Sequence, residues 1–278
     1  MTTIHQLELI WIHHLQNALR GPFTDAFFRY WDYVDTVWFV SIFVAAIMYL
    51  FNRKEGISLL FIFIISGMVN TLLKLYFNSP RPCHIDPLVS IIFSKSNGFP
   101  SGAAQTATII AGLALMKCQK NIYKILAVVF ALFVYFSRIY LGLHFFTDIL
   151  GGIVVGIALL IIYKKIFPFI ENHWVKFAIG LTALSLVLGG GKIPPQATMT
   201  LGIAIGLWFA RQPELSSSWS SRILTFLIVI IGSTLFMYFG QTHPSIILLA
   251  TFLAGLWIVY LGSYLLNKIV QEPSVTAE

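Results

Sequence analysis

Residues 122–163 read IYKILAVVFALFVYFSRIYLGLHFFTDILGGIVVGIALLIIY. Two apolar runs, 122–141 and 148–163, meet at a short junction; Ser137 and Arg138 close the first run, His144 lies in the junction and Asp148 opens the second. Neither run alternates polar with apolar residues, so neither reads as a barrel strand, and a segment crossing hydrocarbon must satisfy its own backbone hydrogen bonds. Both runs are therefore expected to be transmembrane helices, with a guanidinium, an imidazole and a carboxylate at the boundary between them. Charges are costly beside a membrane, and a cluster of them marks function.

The same texture extends along the chain. Of its 278 residues, 58% are hydrophobic and 10% charged, with a mean hydropathy of +0.83, whereas a soluble domain carries roughly 25% charge. Nine spans are expected, near 37–52, 56–77, 103–116, 122–141, 148–163, 177–190, 196–210, 223–239 and 245–266. Several are shorter than the ~20 residues that a straight span takes. The fold class is all-α, a polytopic membrane helical bundle with an N-terminal interfacial helix. That helix falls in residues 1–36, where His13, His14, Gln16, Asn17, Arg20 and Asp25 interrupt the apolar stretches. With no basic leader and no unbroken apolar core there, a cleaved signal is not expected.

The net charge of +7 is dispersed over loops and not gathered on one face, so no nucleic-acid partner is expected. Arg53, Lys54, Lys117, Lys120, Lys124, Lys164, Lys165, Lys176, Arg211, Arg222 and Lys268 fall in every second loop and in the tail. By the positive-inside rule those loops are cytoplasmic, which puts Lys74, Arg81 and Arg138 on the outer face. Cys83 and Cys118 then lie on opposite faces and cannot pair. Trp174 and Trp219 fit the inner aromatic belt, Trp31 and Trp38 the outer one. The pairs Gly152 with Gly156 and Gly202 with Gly206 permit close helix approach.

Three fragments carry chemistry. Lys74 ends the second span, and Ser79-Pro80 and Arg81-Pro82 stop the helix and hold a second cation at its mouth. A lone cation at such a boundary is usually a snorkelling anchor. Gly98-Phe99-Pro100-Ser101-Gly102 precedes the third span, so Ser101 caps a helix start whose free N–H groups suit an anion. His144 and Asp148 are spaced i, i+4 and share a helix face. The carboxylate can fix the imidazole tautomer and leave the other ring nitrogen as a nucleophile. Together they describe a phosphate-handling site.

Lys74-xxxxxx-Arg81-Pro82, Pro100-Ser101-Gly102-x and Ser137-Arg138-xxxxx-His144-xxx-Asp148 resemble the three signature motifs of the type-2 phosphatidic acid phosphatase superfamily, over roughly residues 56–163. That resemblance implies a helical bundle with a metal-independent active site and no cofactor. His144 would become phosphohistidine and Asp148 would orient it. Lys74, Arg81, Ser101, Gly102 and Arg138 would cradle the phosphate oxygens. The expected organisation is an interfacial segment 1–36, a motif-bearing membrane core 37–166 and additional helices 167–278.

One position departs from the pattern. The second motif of the family ends in a histidine that acts as general acid, and this chain has Ala103 there. Loss of a positioned acid costs about 10²–10⁴ in rate, so the chain is expected to be impaired. Either Ala103 is a substitution in an otherwise intact enzyme, or the chain binds phosphates without turning them over. His84 is the other histidine of the loop between the first two motifs, without a sequence reason to point inward. The expected substrate is a lipid phosphate met in the membrane, with a sugar phosphate as the rival. The expected location is a bacterial inner membrane with the site facing the periplasm, or a eukaryotic internal membrane with the site facing the lumen. The C-terminus, residues 271–278, carries no retrieval signal for the endoplasmic reticulum.

Overall fold

The structure, a computed structural model, describes residues 3–170, 173–189, 192–209, 218–262 and 264. Arg211, Lys268 and the tail 271–278, used above for topology, lie outside them. The helices are α1 (Thr3–Leu19), α2 (Pro22–Tyr30), α3 (Val37–Ala46), α4 (Arg53–Phe77), α5 (Pro82–Ile85), α6 (Gly102–Lys117), α7 (Asn121–Tyr140), α8 (Phe146–Ile170), α9 (Trp174–Leu188), α10 (Pro195–Phe209), α11 (Trp219–Thr242) and α12 (Ile247–Leu256). The protein is an all-helical integral membrane protein.

Over the described residues, each of the nine expected spans falls largely on helix, but length separates them. Arg53–Ile85, Asn121–Tyr140, Phe146–Pro168, Trp219–Thr242 and Pro244–Leu261 are long and apolar enough to cross, with a sixth if the bent pair Pro22–Val34 and Val37–Phe51 is one span. By contrast α6, α9 and α10 have 16, 15 and 15 residues, short of the ~20 that a straight span takes. Among the described residues, five helices, or six with the bent pair, reach that length, and the count of nine is not confirmed.

The chain divides into two compact units, Met1–Val40 with Ile62–Lys165, and Ser41–Phe61 with Ile166–Glu278. The first unit holds every motif residue. In α7, Ala131, Val134 and Arg138 face inward at helical spacing, while Ile125, Leu126 and Leu132 are more than half exposed, as a lipid-facing stripe would be. Gly152 and Gly156 of α8 sit against α6: a methyl at Gly152 would lie 2.5 Å from Ser101 O, and one at Gly156 2.7 Å from Thr108 Cβ. Close approach of α6 and α8 thus brings the second and third motifs together. A buried polar network ties α4 to α6, with Gln105 Nε2 donating to Ser66 O at 2.9 Å and Asn70 Nδ2 donating to Pro100 O at 3.2 Å.

The N-terminal helices dock on this unit through named bonds. Gln16 Nε2 donates to Val89 O and Tyr140 O at 2.8 and 2.7 Å, and Glu8 accepts from Thr147 N at 2.8 Å at the start of α8. His13 Nε2 meets Asp86 Oδ2 at 2.7 Å, which with the Leu88 N–H bond holds the Asp86 carboxyl below its usual range.

In the second unit, α10 packs between α9 and α12. A methyl on Gly202 would fall 2.1 Å from Phe252 O, and one on Gly255 2.2 Å from Met199 O, so the α10–α12 crossing depends on two glycines facing backbone. The π-turn Trp257–Leu261 disturbs the helical ladder; Arg53 Nη2 donates to Val259 O at 2.7 Å and Tyr49 Oη to Ile258 O at 2.5 Å. Trp174, expected in an aromatic belt, is buried instead, stacked on Phe61 at 5.4 Å.

Replacing Gly202 with Ala should lower the thermal stability of the detergent-solubilised protein by about 1–3 kcal/mol, because the new methyl meets backbone that cannot step aside. Gly180→Ala in α9, where a Cβ meets nothing within 4 Å, should raise it by about 0.5–1 kcal/mol. Equal effects of the two substitutions in a melting experiment would contradict this packing.

Candidate active site

His144 lies in the turn between α7 and α8, outside both helices. Gly142 makes that turn: its φ is +70°, and a Cβ there would fall 2.0 Å from Val89 O, so backbone strain and space both demand glycine. The turn is closed by Leu143 N and His144 N donating to Arg138 O at 3.1 and 3.2 Å. Beyond it, Asp148 Oδ2 accepts from Phe145 N at 3.0 Å and stands 3.3 Å from His144 Nδ1.

Arg81 fixes the tautomer. Its Nη1 lies 3.0 Å from His144 Nε2. A guanidinium can only donate, so Nε2 presents a lone pair and the ring proton sits on Nδ1, facing Asp148. The imidazole is fully buried, and burial, together with the charges of Arg81, Lys74 and Arg138, holds its pKa well below the ordinary value of 6.5. The group is therefore a neutral base with its lone pair aimed at a cation.

The other expected residues gather here, though each has an internal partner. Arg81 also donates to Leu143 O at 2.8 Å, and through Nε and Nη2 to Ser96 O and Ser96 Oγ at 2.7 and 2.8 Å. Lys74 Nζ donates to Asn97 O at 2.8 Å. Ser101 caps α6 by accepting from Ala104 N at 3.4 Å, and its own N–H donates to Asp148 O at 3.0 Å. Gly102 opens α6. Arg138, only 1% exposed, donates through Nη1 to Asp32 Oδ1 and through Nη2 to Trp31 O, both at 2.5 Å.

Ala103 is fully buried in an apolar cluster with Val34, Ala107, Ala111, Ala131 and Val134, against which Trp31 and Phe130 pack. His84 does not replace the missing imidazole: its Nε2 meets Ser94 O at 2.6 Å and its Nδ1 accepts from Arg81 N at 3.3 Å, which uses both ring nitrogens on the loop. A cleft of about 430 Å³ reaches Asp148 and is lined by Ile4, His5, Phe77, Pro80 and Phe99 among others.

Residues 55–171 match the PAP2 superfamily. Phosphatidylglycerophosphatase B of Bacillus subtilis is 31% identical over 125 residues, 41% of this chain and 60% of that protein. A dihydrosphingosine 1-phosphate phosphatase of Schizosaccharomyces pombe is 25% identical over 235 residues, 74% of this chain and 57% of its own. The chain thus spans about 60% of the length of these two relatives. Among solved structures, Aquifex aeolicus LpxE superposes with a TM-score of 0.51 at 28% identity, over 57% of this chain and 95% of that one.

Several residues that shape the PAP2 segment were not singled out from sequence. Ser66, Asn70 and Gln105 hold Pro100 from inside two apolar helices, and polar side chains within such helices are the signal that marks them. Ser96 and Asn97 accept from Arg81 and Lys74 in a loop with no sequence signature. Asp32 lies far from every motif.

Because the folded pKa of His144 is lowered, its imidazole should stay neutral as the pH falls through 6.5, where an unfolded histidine takes up a proton. The unfolded chain then binds more protons, so this group removes stability below pH about 6.5 and none above it. Nitrogen NMR of histidine-labelled protein, assigned with His144→Ala, should show a neutral Nδ1–H tautomer at pH 6.5. A half-protonated His144 at that pH would contradict the assignment.

Proposed function

We propose that the protein is a phosphatase of a membrane lipid phosphate ester or diphosphate, working through a phosphohistidine on His144 without metal or cofactor. The observation that carries this reading is the line Arg81 Nη1, His144 Nε2, His144 Nδ1, Asp148 Oδ2, with spacings of 3.0 Å at the first contact and 3.3 Å at the last. A bound phosphate takes the place of Arg81 before the Nε2 lone pair. Nε2 attacks phosphorus, the P–O ester bond breaks, and Asp148 stabilises the imidazolium that forms. Lys74, Arg81, Arg138, Ser101 and the Gly102 amide balance charge on the equatorial oxygens. Water then cleaves the P–N bond and releases inorganic phosphate.

The leaving oxygen departs as an alkoxide and needs a proton, which a methyl at position 103 cannot give. The reading is therefore of a substituted, impaired enzyme, with a non-catalytic phosphate binder as the second reading on that same observation. A lipid substrate is supported by the names of the relatives, both phosphatases of phosphorylated lipids, and by the apolar lining of the cleft at Asp148. Seven of the basic residues lie outside the cytoplasmic loops of the topology above, three of them in the motifs, which supports a site on the outer face, periplasmic in a bacterial inner membrane.

Phosphate release from lipid phosphates and from glucose 6-phosphate, measured for the unmodified chain and for Ala103→His, tests the proposal. The expected result is a gain of about 10²–10⁴ on lipid phosphates in Ala103→His, abolished by His144→Ala. Melting curves recorded beside it check that the buried cluster admits the larger ring. Release confined to glucose 6-phosphate would make the protein a sugar phosphatase. No release from a folded Ala103→His that still binds phosphate would make it a binder.

A further inference from the structure

The motif chemistry leaves one contact unexplained. Arg138, which the reading above assigns to phosphate, is held in this structure by a carboxylate from a segment outside all three motifs. Asp32 lies in the single 3₁₀ turn Trp31–Asp35 that joins α2 to α3. Its Oδ1 accepts from Arg138 Nη1, and the neighbouring Trp31 O accepts from Nη2. Two oxygens therefore face the two terminal nitrogens of the guanidinium, as two phosphate oxygens would.

We propose that Asp32 is an internal occupant of the phosphate cradle: its carboxylate stands on Arg138 in the resting protein, and the substrate phosphate binds by taking its place. The inference rests on the cradle reading and adds to it a residue that sets phosphate affinity.

The two partners are unequal. The Arg138 side chain is 1% exposed and that of Asp32 39%. An unpaired guanidinium at Arg138 would be a buried uncompensated charge, which is strongly disfavoured, so an internal anion is required whenever no ligand is bound. Asp32 is partly exposed and can swing aside when displaced, while Arg138 is enclosed. Arg138 is also incompletely satisfied, since its Nε is buried without a hydrogen-bond partner among the described residues. A carboxylate and a carbonyl serve two of its nitrogens; a phosphate has oxygens to spare for the third.

The turn is seated where a displaced segment would have to let go. Trp31 stacks on Phe133 at 5.4 Å with planes 13° apart, and Val34 belongs to the same buried cluster as Ala103. The 3₁₀ turn thus lies against both the second-motif helix and Arg138 of the third motif. No bond is made or broken in the exchange: one anion leaves the guanidinium for solvent as another arrives.

A positioning role, in which Asp32 merely orients Arg138 for phosphate, predicts the opposite sign. The test is inorganic phosphate binding by the full chain in detergent, measured by calorimetry for the unmodified protein, Asp32→Asn and Arg81→Gln. Removing a competing charge should tighten phosphate binding about tenfold in Asp32→Asn, equivalent to about 1.4 kcal/mol. Unchanged or weaker binding in Asp32→Asn overturns the proposal. Hydrogen exchange on the unmodified chain needs no variant to fold: saturating phosphate should speed exchange in residues 31–35, and slowing or no change there also overturns it. Phosphate binding that is lost in Arg81→Gln but indifferent to Asp32 defeats the Asp32 inference alone. No phosphate binding by any form defeats it together with the cradle reading.

Discussion

The site depends on one constraint: cations and an imidazole are buried together in a largely apolar unit, and each must be satisfied by a fixed partner. Arg81 meets it by donating to His144 Nε2, Leu143 O and Ser96, and so dictates where the histidine proton resides. Asp148 meets it from the other side, accepting from Phe145 N and facing Nδ1. Neither geometry survives without Gly142, whose positive φ turns the chain so that His144 N can bond Arg138 O. The arrangement of these side chains is thus set by the backbone.

Much of this was legible in the sequence because its causes are local. The apolar runs located the helices, since each span must carry its own hydrogen bonds; His144 and Asp148 were expected on one helix face, but His144 stands in the turn before α8 and meets Asp148 from there. Gly152 and Gly156 read as a close helix approach, and they are one, bringing Ser101 to Asp148. What composition could not reveal was set by long-range packing. Short helices such as α6 and α9 have the apolar character of spans without the length, because a capped start at Ser101 or a break after Leu188 cuts them off. Trp174 has the amphipathic character of a belt residue, yet aromatic neighbours on its own unit draw it inward. Asp32 and Arg138 meet across 106 positions, a juxtaposition that no local pattern encodes.

Ala103 joins the two halves of the account. On the proposed reading, the methyl of Ala103 stands where a proton donor is expected, while His144, Asp148 and the cations remain in place. That reading places the proposed defect on the leaving group and not on attack at phosphorus. An aryl phosphate, whose phenolate leaves without help, removes the need for the missing acid and isolates the step performed by His144.

The most direct measurement is accordingly made on the unmodified chain. The protein is mixed with 4-nitrophenyl phosphate, quenched in alkali where phosphoramidates persist, digested and analysed by mass spectrometry. A phosphate should appear on the peptide containing His144 and be absent from His144→Ala. Nitrophenolate released without a modified His144, or phosphate found on another residue, would contradict this expectation.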